Sequence, residues 1–267
     1  MLGPHTSVAI AQIVFYVPIV PITLFILIRN WNNRPRMAWY PLFTFSLVRL
    51  AGGIISVVRE NKPTDIGLII ATTVLLNVGV IPLLVSMIGI TRVILRSSLD
   101  TNSRAFMFLK VIRYAFLIAI ILLVASGSLS SNLSNLHVAR ALAQAAYVVL
   151  AVVLVMATLE LIHLLGQKER IAPAGYFYIK YCLLATPMLA IRMAAGLLYE
   201  FTINKHASIW NPLSGSAVAF ALMTLVTEYI VLGIFIYLGF HRIKHRNEDT
   251  EEELKASEER PADMTAV

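Results

Sequence analysis

The chain has 267 residues, 58% hydrophobic and 14% charged, with a formal net charge of +7 and a mean hydropathy of +0.76. Soluble domains hold about 45–50% apolar and about 25% charged residues, so this composition excludes a water-soluble fold and makes lipid the solvent. The basic residues sit at the ends of apolar runs rather than in one patch with interleaved aromatics, which argues against nucleic-acid binding.

A helix needs about 20 mostly apolar residues to cross a bilayer. Seven segments meet that requirement: 7–28, 38–58, 66–95, 106–126, 138–165, 175–201 and 213–240. No Lys or Arg precedes the first, so it lacks the basic region of a cleavable signal and reads as a retained span. One side of the bundle collects Arg29, Arg34 and Arg36, then Arg92, Arg96, Arg104 and Lys110, then Lys168 and Arg170, then Arg242, Lys244 and Arg246. The other side has only Arg59, Lys62, Arg140 and Lys205. Positive residues stay in the cytoplasm, so the N-terminus is expected outside and the C-terminus inside. Asn132-Leu133-Ser134 is a glycosylation sequon on the outer side, close enough to the bilayer that poor occupancy is expected.

Beyond His241 the character changes. Eight acids fall between Glu248 and Asp263, opposed only by Lys255 and Arg260. Such a segment has little apolar surface to offset its ordering entropy and reads as disordered or a frayed helix. The expected division is a membrane domain over 1–241 and an acidic cytoplasmic tail over 242–267.

Charged side chains inside lipid are costly, so each one is a candidate functional residue. Arg49 in the second span and Glu228 in the seventh fall near mid-depth. Arg192 lies in the outer half of the sixth, and Asn77 at a similar depth in the third. Together they predict a polar cluster between spans two, three, six and seven. Three readings are open: an ion pair that locks the bundle, a ligand or transport site with one arginine available to an anion, or a switch coupled to the cytoplasm. Arg113, Glu160 and His163 lie near the inner boundary, where long side chains can snorkel to water. Pro18, Pro21, Pro82 and Pro187 sit inside spans and are expected to kink them. Val48-Arg49-Leu50-Ala51-Gly52-Gly53 and Ile191-Arg192-Met193-Ala194-Ala195-Gly196 match as aliphatic, Arg, aliphatic, Ala, small, Gly. Spans two and six run in the same direction, as a parallel three-plus-one-plus-three repeat requires, and parallel repeats are one plan for transporters.

Phe45-Ser46-Leu47-Val48-Arg49 is one of several pieces that resemble a fungal family of seven-span integral membrane proteins of undefined function. The others are Asn77-Val78-Gly79-Val80-Ile81-Pro82-Leu83-Leu84 with Gly89 and Arg92, Pro187-Met188-Leu189-Ala190-Ile191-Arg192 and Glu228-Tyr229-Ile230-Val231. The resemblance implies the fold and a membrane location, and no reaction or substrate. Retinal proteins fit poorly, because the last span has no mid-membrane lysine. Rhodopsin-like receptors fit poorly too, because Thr91-Arg92-Val93 replaces their acidic-Arg-Tyr signature.

The expected molecule is an all-α polytopic bundle of seven helices in the plasma membrane or an endomembrane. Its polar centre of Arg49, Asn77, Arg192 and Glu228 suits a small-molecule transporter or receptor. The alternatives are a terpene-cyclase-like enzyme using Glu228 as an acid, or a purely structural ion-paired bundle. The scattered histidines and single cysteine offer no metal set, and no cofactor is expected. The expected partners are the bilayer and a small-molecule ligand, with any partner of the acidic tail undetermined.

Overall fold

A computed structural model describes residues 4–31, 38–61, 79–98, 104–130, 133–167, 173–202, 209–210 and 215–258, with a few single positions between 65 and 75 and at 171. Asn77, Asn132 of the sequon, much of 66–78 and the tail beyond 258 lie outside the described residues.

The described residues form helices. They are α1 (Pro4–Arg29), α2 (Tyr40–Asn61), α3 (Val80–Ser98), α4 (Arg104–Leu129), α5 (Leu136–Gly166) and α6 (Pro173–Thr202). A last rod begins as α7 (Ala217–Phe220), passes through a π-helical turn (Ala221–Val226) and continues as α8 (Thr227–Glu258). Among the described residues, six helices are long and apolar enough to cross a membrane; the apolar part of α3, Val80–Leu95, is shorter. Their outward faces carry Val14, Met107, Ile121 and Val124, each well over half exposed. So much exposed aliphatic surface is tolerable only in hydrocarbon, and the chain is an integral membrane protein.

Helix α3 forms the centre of the bundle. Val80, Leu83, Leu84, Met87, Ile90 and Ile94 are all buried, and the helix packs against α2, α4, α5, α6 and α8. Pro82 falls in its first turn, where a missing N–H leaves no intrahelical bond unmade, so it does not kink this helix as expected. Pro18 and Pro21 lie inside α1, and Pro187 inside α6. The pairs α1–α2, α4–α5 and α5–α6 pack along their lengths, and α6 meets α8 beside α3. Helix α8 leaves the apolar span at Lys244 and remains helical to Glu258, so the start of the acidic segment extends the last rod.

Candidate functional site

Arg49 lies midway along α2, Arg192 two-thirds of the way along α6, and Glu228 two residues beyond the end of the π-helical turn. A π turn carries one more residue per turn than its α neighbours. It rotates the helix beyond it, and such turns gather at functional sites. Here it precedes the only carboxylate of the cluster.

The three side chains meet. Arg192 Nε donates to Glu228 Oε1 at 2.6 Å, and Arg49 Nη2 donates to the same oxygen. Arg49 and Glu228 are fully buried and Arg192 is 2% exposed. The two arginines therefore share one carboxylate, where one-to-one pairing with a single arginine was the simpler expectation. Two guanidinium groups against one carboxylate leave a formal charge of +1. A charge at this depth needs compensation, because hydrocarbon offers none.

The pairing is incomplete. Arg49 Nε and Nη1 and Glu228 Oε2 are buried without hydrogen-bond partners. So is the hydroxyl of Tyr16, a fully buried α1 residue within electrostatic reach of all three charges. The Arg49 guanidinium also sits 5.8 Å from the centre of the Phe45 ring, a cation–π distance. On the other flank, the Tyr147 hydroxyl of α5 hydrogen-bonds Arg192. The two arginines are thus bracketed by buried tyrosines from α1 and α5.

Two glycines make room for this arrangement. A Cβ on Gly79 would lie 2.8 Å from both Cζ and Nε of Arg49, so the guanidinium packs directly on the backbone before α3. A Cβ on Gly196 would overlap the Tyr147 ring that supports Arg192. The matched glycine of the first arginine motif, Gly53, faces α1 instead. There a Cβ would meet Ile13 at 2.9 Å, and Gln12 of the same helix donates to the Arg49 carbonyl at 2.6 Å.

Sequence reasoning did not single out Tyr16, Tyr147, Gly79 or Gln12. Tyrosines at mid-span, whose hydroxyls need partners in lipid, were the available signal. Glu200 was also missed. It is buried near the end of α6, and its carbonyl accepts from Gln144 at 3.0 Å. Glu160, expected to snorkel, is instead 5% exposed with Oε1 unpartnered, because it lies on the face of α5 that packs inward. His163, three residues on, is exposed and bonds Gln167 at 3.0 Å.

The sequence matches a family described as a domain of unknown function, DUF7702, over residues 2–245. The chain belongs to this family. The match covers α1 to α7 and the apolar part of α8 and stops just before the acidic segment, so the Arg–Glu–Arg centre of this DUF7702 protein lies within the family domain. No curated protein and no solved structure matches the chain. Among the described residues, no cluster of three or more His, Cys, Asp or Glu could hold a metal ion.

Proposed function

We propose that this DUF7702 protein is a seven-span transporter or receptor whose polar centre binds a small anion. The observation that carries this reading is the unequal stoichiometry of the centre: two buried guanidinium groups converge on one carboxylate, leaving a formal positive charge and two Arg49 nitrogens without partners. A small anion against Arg49 Nε and Nη1 would neutralise the centre. A hydroxyl or N–H on the same ligand, or a bound water, would satisfy Glu228 Oε2.

In this reading the third span begins before Val80 and completes a seven-helix topology with the N-terminus outside. The asymmetry of Lys and Arg between the two sets of connections supports that orientation. The sequence also favours a transporter over a receptor, because the repeat between spans two and six extends to their neighbours. Ala11-Gln12-x-x-Phe15 corresponds to Ala143-Gln144-x-x-Tyr147 in spans one and five. Gly89-x-x-Arg92-x-x-x-Arg96 corresponds to Gly239-x-x-Arg242-x-x-x-Arg246 in spans three and seven. Aligned on those residues, Arg49 has its equivalent in Arg192, whereas Glu228 falls opposite Val78. Duplication doubled the arginine and not the carboxylate, which accounts for the excess charge. A parallel repeat with a shared mid-membrane site is a transporter plan.

Melting of the purified chain in detergent with a panel of small mono- and dicarboxylates tests the reading. At least one should raise the midpoint of the native chain and not that of Arg49→Met, which keeps a neutral Arg192–Glu228 pair. Uptake of that anion into proteoliposomes then separates transporter from receptor. A shift that survives in Arg49→Met would place binding elsewhere. No shift with any anion would favour an ion-paired bundle without a ligand.

A further inference from the structure

A second basic feature lies away from the Arg–Glu–Arg centre. An open groove lies between helices α3 and α4, lined by residues of both. Its wall is apolar, with Val85 and Ile88 from α3 and Leu109 and Phe116 from α4; its rim carries Arg92, Lys110 and Arg113. None of the lining residues is acidic.

Lys110 and Arg113 are three residues apart on α4 and so share a face. Both are exposed, whereas Arg92 already holds another interaction. The same helix turns Met107, Val111, Tyr114 and Ile118 outward, each at least half exposed. Those residues face lipid, so α4 lies at the periphery of the bundle and the open groove beside it is bordered by the bilayer. An occupant must place hydrocarbon against Ile88, Leu109 and Phe116 and negative charge against the cations. A free inorganic anion meets the second demand alone.

We infer that this groove binds an anionic glycerophospholipid, its phosphate held by Lys110, Arg113 and Arg92 and an acyl chain lying along the apolar wall. The orientation proposed above puts the site in the cytoplasmic leaflet, where anionic lipids concentrate, and basic pockets between helices on that side suit their headgroups. Binding at the groove requires neither that orientation nor any ligand at the Arg–Glu–Arg centre.

Native mass spectrometry of the full chain tests the inference, comparing retention of phosphatidylserine with phosphatidylcholine of the same acyl chains. Each cation near the headgroup is worth roughly fivefold in affinity. Phosphatidylserine should therefore be retained preferentially, and Lys110→Gln/Arg113→Gln should remove most of the preference. Lys110→Arg/Arg113→Lys should retain it, which separates lost charge from lost fold. Millimolar inorganic phosphate should not displace the lipid, and deleting residues 248–267 should leave retention unchanged. Equal retention of the two lipids, or a preference that survives in the glutamine variant, would overturn the inference. Displacement by inorganic phosphate would make this a free-anion site. A several-fold gain on deleting the tail would make the acidic segment the native occupant.

Discussion

Replacing Glu228 by glutamine should destabilise the bundle more than removing either arginine. Glu228 Oε1 accepts from both Arg49 and Arg192, and all three side chains are at least 97% buried. Glutamine keeps an acceptor oxygen but loses the charge that strengthens both hydrogen bonds; bonds to charged groups contribute about 1.5–3 kcal/mol each, so the cost is at most roughly 3–6 kcal/mol. That range brackets the ~3–5 kcal/mol typical of breaking a buried pair. Glu228→Gln also raises the formal charge of the centre from +1 to +2. Arg192→Met or Arg49→Met removes one bond and leaves a neutral pair, at a cost of about 1–3 kcal/mol. Glu228→Met/Arg49→Met/Arg192→Met removes every charge and should recover much of the loss, because apolar replacements of buried ionic groups are often neutral or stabilising. Reversible unfolding in detergent, analysed as double-mutant cycles, measures these differences. Strict additivity, or an arginine variant as damaging as Glu228→Gln, would refute the shared-carboxylate geometry.

The packing and the charge pattern give two further outcomes. Gly79→Ala should destabilise by about 1–3 kcal/mol by pushing on the Arg49 guanidinium. The loss should shrink in an Arg49→Met background, and an unchanged loss would mean that the methyl group clashes with something else. In the proposed orientation, a tag after Val267 should be shielded from external protease in intact cells while a tag before Met1 is cleaved. The reverse pattern would invert the topology.

The charged residues of the centre were legible because lipid penalises isolated charge, so Arg49, Arg192 and Glu228 at comparable depth implied one another from sequence alone. How they connect was not legible. One oxygen serving two guanidinium groups depends on the rotation set by the π turn at Ala221–Val226, which the apolar composition of that span conceals. The roles of Gly79 and Gly196 were hidden for a related reason: a glycine's value lies in what approaches it from another helix. The third span was the least legible, because an apolar run need not be one helix. The run 66–95 looked like a single crossing, yet α3 starts only at Val80, with Gly79 in a turn and Pro82 in the first helical turn. Glu160 shows the limit of judging by depth. Its position near a boundary suggested water, but its face of α5 points into the bundle.

The central claim is that the buried Arg49–Glu228–Arg192 centre holds a small anion. Cryo-EM of the 29.6 kDa chain, purified from its native membrane and enlarged by a bound antibody fragment, tests it most directly. The account predicts non-protein density within hydrogen-bonding distance of Arg49 Nε and Nη1, beside the Tyr16 hydroxyl. A map in which protein side chains close over those nitrogens, with no space or density between, would contradict it.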